Sequence, residues 1–218
     1  MEKGHFRIVE SNYLLSAVDL SQCKKDDKRE VAFIGRSNVG KSSIINSLCN
    51  HRGLAMVSRE PGKTRTINYF NIRSKKAIPG AGDAGEEEQS WYLVDLPGYG
   101  FAKTSHENRD AWSGFIADYM HNSQHMALLC LLIDLRHPGL PIDRKAYEWL
   151  RGLGLPLQVI GTKSDKLGQS DKAKNLKKIA SEFPGDYPPI AYSSLKHTGR
   201  EKLLQVIEQF VCEEDENE

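Results

Sequence analysis

Residues 31–48 read VAFIGRSNVGKSSIINSL. An apolar, β-branched run, VAFI, feeds a short glycine-bounded loop, and an apolar run with helical spacing follows. Within it, Gly35-Arg36-Ser37-Asn38-Val39-Gly40-Lys41-Ser42 satisfies the GxxxxGK[ST] pattern, in the strand–loop–helix context that makes such a match meaningful. Glycines let the backbone N–H groups turn inward around a phosphate, and the helix that opens there adds its positive dipole end. Lys41 is placed to bridge β- and γ-phosphates, and the Ser42 hydroxyl to ligate Mg²⁺.

Outward from this loop, short apolar runs alternate with helical patterns. Strands are expected at Glu30–Gly35, Ile67–Arg73, Trp91–Leu96, Met126–Asp134, Leu155–Thr162 and Pro189–Ser193. Between most of them, apolar residues recur every three or four positions. The clearest case is Glu201–Val211, with Leu203, Ile207, Phe210 and Val211 on one stripe. Another helix is expected over Asp171–Phe183, capped by Ser170 and ended by Pro184. This alternation predicts an α/β fold, a six-stranded, mostly parallel sheet with helices on both faces. The unbroken run MALLCLLI (126–133) fits a central strand buried on both sides. Residues 75–90, rich in glycine and acids, read as a flexible hairpin loop, and 51–66, aperiodic and charged, as a mobile loop. The expected organisation is an N-terminal extension over 1–27, whose apolar patch Tyr13–Leu20 packs as an extra element, a nucleotide-binding domain over 28–212, and an acidic disordered tail over 213–218.

The composition sets limits. At 218 residues, 39 % hydrophobic and 27 % charged, the chain can bury a core without disulfides or metal. Its four cysteines lie far apart with no CxxC pair, which argues against a zinc site or a disulfide framework. No run is long enough to span a membrane, the first residues lack a signal-peptide core, and a cytoplasmic location is expected. The net charge of +1 hides an uneven distribution. Five acids in the last six residues leave 1–212 at +6, and setting aside Asp83, Glu86, Glu87 and Glu88 leaves +10. A basic body of this kind is compatible with binding RNA.

Two further motifs specify the nucleotide. Asp95-Leu96-Pro97-Gly98 ends the strand WYLV, where Asp95 holds Mg²⁺ through water and the Gly98 N–H meets the γ-phosphate. Thr162-Lys163-Ser164-Asp165 ends the strand LPLQVIG. A carboxylate at Asp165 accepts from both N1–H and N2–H₂ of guanine, while the Lys163 stem lies along the base. Adenine offers neither donor, so guanine is the base expected. Ser193 and Ser194, after the last strand, supply backbone donors to guanine O6.

These elements, in this order, look like a G domain of the translation-factor class. In detail they resemble the EngB (YihA/YsxC) ribosome-biogenesis GTPases, within the TrmE-Era-EngA-EngB-septin-like class. The stretches that carry the resemblance are GRSNVGKSS (35–43), PGKTRTINYF (61–70), VDLPGYGFAK (94–103), DLRHPGLPID (134–143), TKSDKL (162–167) and YSSLKHTG (192–199). It implies a Ras-like sheet, Mg²⁺-dependent binding of GTP and GDP, GTP hydrolysis, and a role in large-subunit assembly with a link to cell division and septation. It implies the large ribosomal subunit and its rRNA as partners, and no DNA or membrane. Carried over by position, Thr64 ligates Mg²⁺ and reads the γ-phosphate, with Thr66 the competing choice. Lys41, Thr64 and Gly98 are then the residues at the chemistry. The remaining nucleotide contacts are Arg36, Ser37, Val39 and Ser43 of the phosphate loop, Gly62, Lys63 and Arg65 around Thr64, Leu96 and Pro97, Ser164, and Tyr192 beside Ser193.

Tyr99 stands where small signalling G proteins place a water-orienting glutamine, so unaided hydrolysis is expected to be slow. Related domains with an asparagine at the position of Asn38 hold K⁺ near the phosphates, which makes K⁺ an expected ion. Arg59, Lys63, Arg65, Lys103, Lys172, Lys174, Lys177 and Lys178 are the basic residues expected to face RNA. No heptad pattern is present, and a monomer is expected. A P-loop ATPase or kinase, and a scaffold that binds nucleotide without hydrolysing it, are the alternatives left open by the residues alone.

Overall fold

The computed structural model describes residues 6–56, 66–78, 85–100 and 106–212, with the side chains of 106–113 excepted. In chain order the elements are β1 (Arg7–Ala17), β2 (Glu30–Gly35), α1 (Lys41–Leu48), β3 (Ile67–Ala77), β4 (Glu86–Asp95), α2 (His106–Asn122), β5 (Met126–Asp134), α3 (Pro141–Arg151), β6 (Leu157–Thr162), α4 (Gln169–Glu182), β7 (Ile190–Ala191) and α5 (Arg200–Val211). The strands form one sheet in the order β1-β3-β4-β2-β5-β6-β7. From β4 to β7 all neighbours are parallel, while β3 lies antiparallel between β1 and β4.

The pleat divides the core. Successive residues of β2 point to opposite faces, so Val31 and Phe33 join one apolar layer while Ala32 and Ile34 join the other. The first layer is closed by α1 and α5 through Ile44, Ile45, Leu48, Leu203, Ile207 and Val211. The second is closed by α2, α3 and α4 through Ile116, Tyr119, Leu150, Ile179 and Phe183. All nine residues of β5 are buried, the environment its unbroken apolar run calls for. No helix of the described residues is long and apolar enough to cross a membrane.

The sheet has seven strands rather than six. The additional strand, β1, includes the first part of the apolar Tyr13–Leu20 patch and pairs along the outer edge of β3. Two register shifts, between Ile8 and Glu10 and between Tyr13 and Leu15, break its two-residue period. That irregularity, with most of its side chains exposed, is why no strand pattern is readable there.

The 75–90 segment is also shorter as a loop than its composition suggests, because β3 runs to Ala77 and β4 begins at Glu86. Lys75 lies opposite Glu88 and Lys76 opposite Glu87. Ion pairs of Glu86 with Arg7 (2.6 Å) and Lys75 (3.3 Å), and of Glu88 with Arg73 (3.4 Å), offset acids there, while Lys76 pairs with Glu208 of α5 at 3.0 Å. The acidic run is thus one side of a cross-strand charge ladder. A smaller correction concerns α4, which begins at Gln169 after Gly168, so Ser170 lies inside the first turn and caps nothing.

The parallel strands are anchored at their starting ends by Glu30, which is 3 % exposed. Its Oε2 accepts from the Tyr119 hydroxyl at 2.6 Å and from Ser123 Oγ at 2.7 Å. Burial raises its pKa above 4.5, against the opposing effect of those hydrogen bonds. A carboxyl that holds its proton more tightly folded than unfolded favours the folded state at low pH, and that advantage disappears as pH rises through the raised value. Glu30→Gln removes this titration. Its urea midpoint is expected to gain on the wild type as pH rises from about 4 to about 7. Parallel midpoint profiles for the two proteins across that range would contradict the assignment.

Candidate functional site

The carboxyl ends of β2, β4, β5 and β6 meet at one edge of the sheet, and β2, the strand between β4 and β5, is where the order reverses. Such a crevice is where open α/β sheets receive ligands. The loop from β2 to α1 occupies it. Gly40 has φ +106° and Asn38 φ +63°, left-handed values that turn successive amides toward one concavity. Gly35 meets a different demand: a Cβ there would lie 2.8 Å from Val39 Cγ1 and 2.9 Å from Leu132 Cβ. Only a glycine lets the loop lie this close to β5.

Lys41, the first residue of α1, forms an ion pair with Asp95 at the end of β4. Burial works against the Lys41 ammonium and lowers its pKa, and the adjacent carboxylate favours the charged form. Asp95 is buried, and Leu96 continues its strand by donating its N–H to the Phe33 carbonyl at 3.0 Å. Beyond Pro97, Gly98 lies over the phosphate loop; a Cβ on it would be 3.1 Å from the Gly35 carbonyl oxygen.

The segment after β6 is fastened to the same loop. Thr162 Oγ1 donates to the Val39 carbonyl at 2.8 Å, and Lys163 Nζ donates to the Asn38 carbonyl at 2.7 Å. Lys163 adopts φ +57° at the entry to a 3₁₀ turn over Ser164–Lys166. Its ammonium also pairs with Asp134 at 3.1 Å. Burial would raise the Asp134 carboxyl, but hydrogen bonds from Arg136 and Lys163 outweigh it and hold that group well below the usual carboxylate range. Ser193 Oγ donates to Asp165 Oδ1 at 2.8 Å, which lowers the Asp165 pKa and orients the carboxylate.

Part of this arrangement lines a cavity of about 610 Å³, a usual size for a small-molecule site, while Lys41, Asp95, Gly98 and Ser193 are not among its lining residues. Val39, Gly40 and Ser43 form its floor, Lys163, Asp165 and Lys166 one wall, and Ser194 and Leu195 another. Several lining residues escape the sequence motifs: Asn46, Asn50, His51 and Arg52, in and just after α1. Asn46 holds the departing chain through two hydrogen bonds to Ala55, at 2.7 and 2.9 Å. His51 Nδ1 sits 3.1 Å from both the Oγ and the carbonyl oxygen of Ser11, so β1 braces the cavity wall. Aperiodic residues after a helix carry no signal of such a role until the chain has folded back.

Not every expected contact reaches the cavity. Tyr192 is fully buried, with its hydroxyl on Ser47 Oγ at 3.2 Å, and it lies under α1 in the core. Thr66 Oγ1 donates to Asn68 Oδ1 at 3.1 Å. Gly62, Lys63, Thr64 and Arg65 lie outside the described residues, as do Arg59 and Lys103. Among the described residues, no group of three or more His, Cys, Asp or Glu side chains is arranged for a metal. A single buried carboxylate, Asp95, paired with Lys41, the residue before Ser42, is nonetheless the kind of donor that suits Mg²⁺, which draws most of its oxygens from phosphates and water.

Residues 30–163 match the family described as 50S ribosome-binding GTPase. The "Probable GTP-binding protein EngB" of Chlorobaculum parvum is 41 % identical over 203 residues, covering 93 % of this chain and 98 % of that protein. Its counterpart in Clostridium perfringens is 41 % identical over 210 residues, covering 95 % and 99 %. Among solved structures, the crystal structure of a probable GTP-binding protein engB superposes with a TM-score of 0.61 at 23 % identity, over 85 % of this chain and all of the other. Era, in complex with MgGDPNP and nucleotides 1506–1542 of 16S ribosomal RNA, superposes with a TM-score of 0.65 at 22 % identity, over 88 % of this chain and 59 % of the other. The fold is that of the GTPase G domain, and the chain belongs to the EngB family of GTP-binding proteins and is a GTPase.

Proposed function

We propose that this GTPase is a nucleotide-dependent switch in assembly of the large ribosomal subunit, acting in the cytoplasm as a monomer and needed for normal cell division and septation. What supports the switch reading is that the phosphate loop is tied both to the turn after Gly98, by the Ser37 N–H on the Tyr99 carbonyl at 3.1 Å, and to the segment after β6, by Lys163 Nζ on the Asn38 carbonyl at 2.7 Å, with Lys41 paired to Asp95. The assembly reading draws on the family description and on Era, a fold relative seen with ribosomal RNA.

In this reading the loop amides and Lys41 bind the β- and γ-phosphates, and Asp165 selects guanine. Lys41 leaves Asp95 for the phosphates as nucleotide enters. Ser42, Thr64 and Asp95 would hold Mg²⁺, which would supply charge neutralisation at the phosphates. Gly98 donates its amide to the γ-phosphate, and Ser193 and Ser194 turn amides toward the guanine O6. Asn38, exposed in the phosphate loop, would hold K⁺, which would supply the charge that an arginine finger provides elsewhere. Residues 28–212 make the G domain, to which 1–27 add the edge strand. The exposed lysines of α4, Lys174, Lys177 and Lys178, supply part of the surface for rRNA.

The test is co-sedimentation with purified large ribosomal subunits, with the protein held in a non-hydrolysable GTP analogue or in GDP, across a salt series. Binding is expected with the analogue alone and should weaken steeply as salt rises. Equal failure in both states at low salt, with nucleotide shown to be bound, would overturn the assembly role. Phosphate release from GTP with subunits present, measured in KCl and in NaCl, extends the same experiment; equal rates would remove K⁺ from the mechanism.

A further inference from the structure

Tyr99 follows directly on Gly98, yet its side chain does not face the nucleotide crevice. The ring is 7 % exposed and belongs to the core layer beneath α2, α3 and α4. Its hydroxyl donates to Oδ1 of Asp143 at 2.9 Å. Asp143 sits in the first turn of α3 and is 1 % exposed. Burial raises the carboxyl's pKa, with the Tyr99 hydrogen bond and the charge of Arg36 acting the other way.

The main chain of the same residue is tied in the opposite direction. Tyr99 N donates to the Gly35 carbonyl at 3.2 Å, and Ser37 N donates to the Tyr99 carbonyl at 3.1 Å. This is a parallel bridge between the phosphate loop and the turn after Gly98. One residue further, Gly100 has φ +87°, and a Cβ on it would lie 2.6 Å from Ile142 Cδ1. The chain leaving Gly98 is therefore clamped between the phosphate loop on one side and α3 on the other.

We propose that Tyr99 and Asp143 are positioning residues for the γ-phosphate: their hydrogen bond, on the far side of the turn, sets the direction of the Gly98 amide against the phosphate loop. The inference rests on the reading of Gly98 given above. It assigns Tyr99 a purpose other than orienting water, and it makes the start of α3 a place from which a bound partner alters GTP recognition. A GDP complex, which has no γ-phosphate, does not draw on this clamp.

The readout is the ratio of dissociation constants for GDP and for a non-hydrolysable GTP analogue, measured on the same protein, so that any loss of folded fraction cancels. Tyr99→Phe, which deletes one oxygen atom, is expected to shift this ratio against the GTP analogue by about 5- to 10-fold, the scale of one ordinary net hydrogen bond. Asp143→Ala is expected to shift it equally, the double variant no further, and Asp143→Asn, which keeps an acceptor oxygen, to stay within about twofold of wild type. An unchanged ratio in Tyr99→Phe, or additive shifts in the double variant, would overturn the proposal. Gly98→Ala separates this from the reading beneath it. If that variant shifts the ratio and Tyr99→Phe does not, only the role of Tyr99 and Asp143 falls; if Gly98→Ala leaves it unchanged, both fall together.

Discussion

Asp165→Asn is expected to weaken GTP and GDP binding about 10³-fold while raising affinity for xanthosine nucleotides. In the proposed complex the carboxylate accepts from two guanine donors, and an amide in its place accepts from only one. It turns an N–H₂ toward the guanine exocyclic amine, leaving two donors face to face in a desolvated site. Losing one charge-assisted hydrogen bond and leaving another group unpaired together cost about 4 kcal/mol, or three factors of ten. Xanthine carries an oxygen where guanine carries the amine and so accepts from the new amide. Competition of a fluorescent GDP derivative by GTP, ATP and XTP measures all three. Undiminished preference for GTP would place the base elsewhere than the Lys163–Asp165 wall. Ser193 enters the same argument. Its hydroxyl occupies one lone pair of Asp165 Oδ1 and restrains the carboxylate, so its orientation is set before any base arrives.

Lys41→Ala has a larger expected effect on GTP. The ammonium makes charge-assisted contacts to two phosphates in the proposed complex, each worth about 2 to 3 kcal/mol, so triphosphate affinity should fall by about 10³- to 10⁴-fold. Steady-state hydrolysis should drop below detection. The same substitution strips the buried Asp95 carboxylate of its partner. The nucleotide-free protein is therefore expected to lose about 3 kcal/mol of stability, and Lys41→Ala combined with Asp95→Asn to recover much of it. Urea unfolding of the two proteins without nucleotide checks the stability half, and single-turnover phosphate release checks the other. Wild-type hydrolysis in Lys41→Ala would remove the phosphate loop from the chemistry.

Much of this site is legible in sequence because its chemistry is local. An inward-turned amide nest needs glycine at a fixed spacing, and Gly40, with its left-handed backbone, shows the demand directly. A carboxylate proposed to select the base needs a rigid strand end, and Asp165 follows β6 by three residues. The central strands are legible for a similar reason: β5, buried on both faces, has no room for polar alternation. Outer elements are not. In β1 the two register shifts break the period on which strand reading depends. In the acidic run at the start of β4, Glu86 to Glu88 resemble a solvated loop until Lys75 and Lys76 are placed across from them.

By itself, then, the chain's order of residues determined the phosphate loop, the place of the candidate carboxylate Asp165 and the alternation that forces a mostly parallel sheet, since each follows from neighbours within a few positions. Only the tertiary structure decided which distant residues support them. Ser11 braces His51 across 40 positions, Ser193 orients Asp165 across 28, and Asp143 holds Tyr99 across 44. The physical reason is the same in each case. A hydrogen bond between side chains far apart in sequence exists only after the sheet and its helices have packed, and no periodicity along the chain records which partner the packing will bring.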